Sequence, residues 1–100
     1  MIITVENIHI PKQGNHIGFP IPEIDVDFTD CYFKVHYFRV EDDENEYKLL
    51  VPWSLHQNKL QFIKPVIIDD IINIELDVND IQSLRNTCDN CMINFEIIKL

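Results

Sequence analysis

The sequence contains no alanine, only two glycines, and only two arginines, Arg39 and Arg85, among its 100 residues. Alanine is the best helix former, so its absence tilts the chain away from helix. Abundant isoleucine, with valine and threonine, supplies the β-branched side chains that suit a pleated, half-buried surface. An AT-rich genome would enrich Ile and Asn as well, so composition is a bias towards sheet. Gly14 and Gly18 lie in one segment, which leaves no glycine-rich loop to cradle a phosphate elsewhere. Nucleophile, P-loop, dinucleotide and zinc-protease motifs are likewise missing.

Long hydrophobic runs are also missing. Val66-Ile67-Ile68 and Ile97-Ile98 are far short of the ~20 apolar residues of a spanning helix, so no membrane association is expected. The N-terminal Met1-Ile2-Ile3-Thr4-Val5-Glu6 lacks the basic start and apolar core of a signal peptide, and the cytoplasm is the expected compartment. Three cysteines, Cys31, Cys88 and Cys91, are an odd number that argues against a disulfide framework. With 46% hydrophobic residues, one domain spanning residues 1–100 has enough apolar side chains for a core.

Positive charge is scarce. Eight basic residues face 17 acidic ones, for a net charge of -9. Affinity for nucleic acid rests on Lys and Arg neutralising phosphates, so direct DNA or RNA binding is not expected. A basic protein partner is attracted instead. Excess acid can equally serve solubility alone.

Hydropathy alternation gives about seven strands. Residues 2–10 alternate, with Ile3, Val5, Asn7 and His9 on one side and apolar residues on both faces near the ends. Residues 11–22 hold both glycines and three of five prolines and read as a loop, which carries Ile17, Phe19 and Ile21. Residues 24–28 read as a short strand with Asp25 and Asp27 outward. Residues 31–40 are apolar on both faces, which suits a central strand paired as a hairpin with residues 47–53. Residues 59–64 read as a short strand with Leu60 and Phe62 inward, residues 71–78 as a one-face-buried strand, and residues 92–99 as the last. Asn79 with Gln82 has the form of a capping box, so a short helix is expected from Asp80 to Asn86 or Thr87. The expected fold is mainly β: a curved antiparallel sheet or small barrel with one short helix near the C-terminus.

Three readings of function follow. The first is a non-enzymatic binding or inhibitor protein, of the kind of immunity proteins and inhibitors of nucleic-acid-handling machines. Its contact residues would be Asp25 and Asp27, the run Glu41, Asp42, Asp43, Glu44 and Glu46, the pair Glu75 and Asp77, and the apolar Phe19. The second is a subunit of a homo- or hetero-oligomer assembled through a strand edge or the apolar 17–21 loop. The third is a small metal-dependent enzyme resting on Cys88 and Cys91, or on Asp25, Asp27 and His36. A tetrahedral zinc site needs four ligands and the CxxC supplies two, so no metal or cofactor is expected.

Overall fold

The protein, seen as a computed structural model, is described over residues 1–41, 47–50, 62–87 and 89–99, the side chains of residues 41 and 47–50 excepted. Its strands are β1 (Ile2–His9), β2 (His16–Pro20), β3 (Cys31–Glu41), β4 (Tyr47–Leu50), β5 (Val66–Ile68), β6 (Ile71–Glu75) and β7 (Asn90–Lys99). One helix, α1 (Val78–Arg85), and a 3-10 turn at Phe28–Asp30 complete the described elements. Six strands are described with their side chains, and β4 by its backbone. They form two antiparallel sheets, β1-β7-β3-β4 and β2-β6-β5, so the mainly β expectation holds and the closed barrel does not.

The sheets share one core. Phe33 lies against Phe95 with ring centroids 4.4 Å apart, and Phe95 reaches across to Phe19 of the small sheet at 6.0 Å. Phe28 meets Phe33 edge-on at 5.9 Å, and Ile81 and Leu84 bring the buried side of α1 into the same cluster. Rings at these separations add directional contact to the burial of large apolar area.

Two β-bulges explain why β1 and β3 read as two-faced. Val5 pairs with Ile93 and Ile8 with Cys91, so β1 carries one extra residue, with Asn7 at φ 57°. On β3 the register shifts between Val35 and Tyr37, leaving His36 extra. An extra residue reverses the in–out alternation beyond it. Ile8 and Ile10 therefore join Ile3 and Val5 on the core side, and Phe38 and Val40 join Phe33 and Val35. The central place of β3 holds, since it lies between β7 and β4.

Several expected boundaries move. Residues 16–20, read as loop, are strand β2, in which Ile17 and Phe19 point into the core while Gly18 and Pro20 face outward. A proline lacking an N–H is tolerated on an edge strand such as this one. Residues 24–28 do not form a strand. Asp27 caps the 3-10 turn by accepting from Thr29 N at 2.9 Å and Thr29 Oγ1 at 2.6 Å, local bonds that compete with a ladder. Helix α1 starts earlier than the capping box implied, because the Asp77 carboxylate accepts from Asn79 N at 2.8 Å. Of the expected 59–64 strand, residues 59–61 lie outside the described ones; Ile63 makes one bridge to Phe33, and Phe62 is 46% exposed rather than inward.

Arg85, in the last turn of α1, ties the 11–14 loop down. Its Nε donates to the Pro11 carbonyl at 2.7 Å, and its guanidinium also donates to the Gly14 carbonyl. Leu76 N then donates to the Asn15 carbonyl at 2.8 Å, which fixes where β2 begins beside β6.

Candidate functional site

Strands β5 and β6 are joined by Asp69-Asp70, whose φ angles are 52° and 63°. Two central residues at positive φ make the type I′ turn that matches the twist of a two-residue hairpin. Because Ile68 pairs with Ile71, and Val66 with Asn73, these four side chains stand on one face. Ile67 and Ile72, one residue out of phase, face the core. From β2, Pro20 pairs with Ile71, Gly18 with Asn73 and His16 with Glu75 on that same outer face. The face is apolar in its middle and acidic at both ends. Val66 and Ile68 are 55% and 57% exposed, and Asp69, Asp70 and Glu75 stand in water.

Gly18 keeps this surface low. A Cβ there would lie 3.2 Å from both Ile71 Cγ2 and Asn73 Oδ1, tighter than ordinary contact. Beyond Glu75 the face runs into an open groove of about 530 Å³, where Phe62, Lys64, Asp77 and Val78 meet Glu75. Glu75 belongs to both, so face and groove are continuous.

The expected contact residues divide accordingly. Glu75 and Asp77 come together in the groove. Asp25 is exposed in the bend before the 3-10 turn, and Asp27 is exposed with its carboxylate engaged by Thr29. Those two hydrogen bonds hold the Asp27 carboxyl below the usual carboxylate range. The 3-10 turn packs beside β5, and Ile21 N donates to the Asp70 carbonyl at 3.3 Å, so the acidic 23–30 stretch neighbours the small sheet. Glu41 ends β3, while Asp42, Asp43, Glu44 and Glu46 lie outside the described residues. Phe19 is corrected: at 2% exposure it is a core residue, as is Ile17, and of the 17–21 stretch Gly18 and Pro20 are the exposed residues.

For the metal-enzyme reading, Cys31 and Cys91 are buried side chains, and Cys88 lies outside the described residues. Burial pushes the Cys31 thiol up, reinforced by Asp27 and Asp30 and opposed by Lys99. His36 Nε2 is buried without a hydrogen-bond partner at the β3 bulge, and no three His, Cys, Asp or Glu side chains converge among the described residues. No helix among them is long and apolar enough to cross a membrane. What sequence reading missed is the apolar half of the surface: Val66, Ile68 and Ile71. The signal was Asp69-Asp70 between two isoleucine-rich runs, which resembles a hairpin only if Asp is allowed at both positive-φ positions.

No protein-family model, curated protein or solved structure matches this chain.

Proposed function

We propose that this protein is a small non-enzymatic binding protein, an inhibitor or immunity-type protein, whose carboxylate-rich surface engages a basic protein partner. The observation that carries the reading is the company its acids keep. Asp69, Asp70 and Glu75 stand in water beside Val66, Ile68 and Ile71, which stand in water too. Charges kept only for solubility need no exposed apolar neighbours, whereas a recognition surface combines an apolar centre with a charged rim. The described ion pair, Arg39 with Glu6 at 3.2 Å, belongs to the large sheet and neutralises none of these three acids.

A second reading, the oligomer subunit, draws on the same exposed Val66 and Ile68. It now rests on a strand edge or this sheet face, since Ile17 and Phe19 belong to the core.

The test is an affinity column carrying the intact protein, loaded with extract of its own cells at low salt and eluted by a salt step. A partner of basic isoelectric point, released by salt alone, supports the reading. An acidic or neutral partner that stays bound through the salt step contradicts it, because charge would then not hold the complex.

A further inference from the structure

We infer that the outer face of the β2-β6-β5 sheet, with the groove at its end, is the docking surface for a basic protein segment bearing apolar anchor residues. The inference rests on the proposed function and gives that function a place. Val66, Ile68 and Ile71 offer the apolar centre; Asp69 and Asp70 stand at one end of it and Glu75 at the other. In the groove, Glu75 and Asp77 carry two negative charges against the one positive charge of Lys64, between the apolar walls of Phe62 and Val78. A lysine or arginine side chain matches that lining, since it buries an aliphatic stem while its charged head meets a carboxylate.

Charge complementarity selects this occupant over two others. A second copy laid on the face would bring Asp69, Asp70 and Glu75 against acids of its own kind, on a chain of net charge -9, and like charges across an interface oppose association. A strand added to the edge of β5, which is unpaired among the described residues, would find a strand of three residues to pair with, and the Phe28–Asp30 turn packs beside it. On the outer face Gly18, Val66, Ile68 and Ile71 are exposed among the described residues.

The experiment follows backbone amide shifts of the isotopically labelled full chain, at low salt, with three probes: a short peptide alternating Arg and Leu, an oligo-arginine of equal charge, and a peptide alternating Glu and Leu. The Arg-Leu peptide is expected to shift residues 66–75 and to bind about tenfold or more tightly than oligo-arginine, the difference made by one buried anchor. Ile68→Glu and Glu75→Lys should each weaken it by about the same factor. Both side chains are solvent-facing, so the fold should survive; where Ile68→Glu fails to fold, Val66→Glu serves instead. Arg-Leu shifts confined to the 23–30 stretch, with 66–75 silent, would overturn this surface and leave the basic-partner function standing. Absence of binding by either basic peptide would overturn both. Equal binding of the Glu-Leu peptide, or a concentration-dependent dimer in sedimentation that Ile68→Glu abolishes, would give the face to another occupant and overturn the inference.

Discussion

Asp70→Gly should make the protein more stable and its basic partner bind more weakly. Asp69 and Asp70 sit at φ 52° and 63°, where an L residue loses roughly 1–2 kcal/mol to the contact between Cβ and carbonyl, and Asp somewhat less. Glycine removes that penalty but returns about 0.4–1 kcal/mol through the greater freedom of the unfolded chain. The net gain is about 0.5–1 kcal/mol. For a domain of this size it should raise the melting temperature by ~2–8 °C. The hydrogen bond from Ile21 N to the Asp70 carbonyl is made by backbone and persists in the variant. A thermal melt followed by far-ultraviolet circular dichroism measures the gain, and titration with the Arg-Leu peptide measures the loss of one rim charge. A lower melting temperature would refute the positive-φ turn as a source of strain. A higher one with unchanged affinity would remove Asp70 from the recognition surface.

Three further outcomes follow from the fold. Arg85→Met keeps the aliphatic stem but loses the bonds to the Pro11 and Gly14 carbonyls; it should cost about 1–3 kcal/mol and speed amide exchange over 12–15 and at Leu76, and unchanged exchange there would contradict the anchor. Phe19→Ala should lower the urea midpoint by the equivalent of ~3–5 kcal/mol without a specific change of oligomeric state, as befits a residue 2% exposed against Phe95; a folded variant of near-native stability would contradict the core placement. The Asp27 carboxyl has a folded-state pKa below its unfolded 3.8, so its contribution is present above 3.8 and is lost as pH falls through the folded value. Asp27→Asn should therefore flatten the acid limb of stability against pH below that point, and an unaltered limb would contradict the role of Thr29.

The mainly β character, the central β3 and the late helix were legible because each rests on a single dominant pattern: β-branching, a long apolar run, and a capped amphipathic stretch. The inner faces of β1 and β3 were not, because one bulged residue in each, near Asn7 and at His36, reverses the alternation halfway along. A reader of the sequence sees two apolar faces where the fold has one. Strand β2 hid behind Gly18 and Pro20, residues that usually break strands but here lie on the outward side of an edge strand. The same blindness cost the candidate site its apolar half. Once residues 11–22 are taken as loop, Phe19 looks like an exposed anchor, and the exposed face its strand helps to build goes unseen. Of the acids, Glu75 and Asp77 line one groove, with Asp77 also capping α1, and Asp27 engages Thr29 in the local turn.

The most direct test of charge-driven recognition is the association rate between the intact protein and its salt-eluted partner, measured by stopped-flow fluorescence at low and at physiological ionic strength. Screening shortens the Debye length from ~30 Å at 0.01 M to ~8 Å at 0.15 M salt. The rate should fall by tenfold or more over that interval, the order expected when opposite charges steer the encounter. It should fall less in a variant with Asp69, Asp70 and Glu75 all changed to the neutral amides, whose dissociation rate should change far less than its association rate. An association rate that is the same at both salt concentrations, and the same in that variant, would contradict the account: the carboxylates would then serve solubility alone.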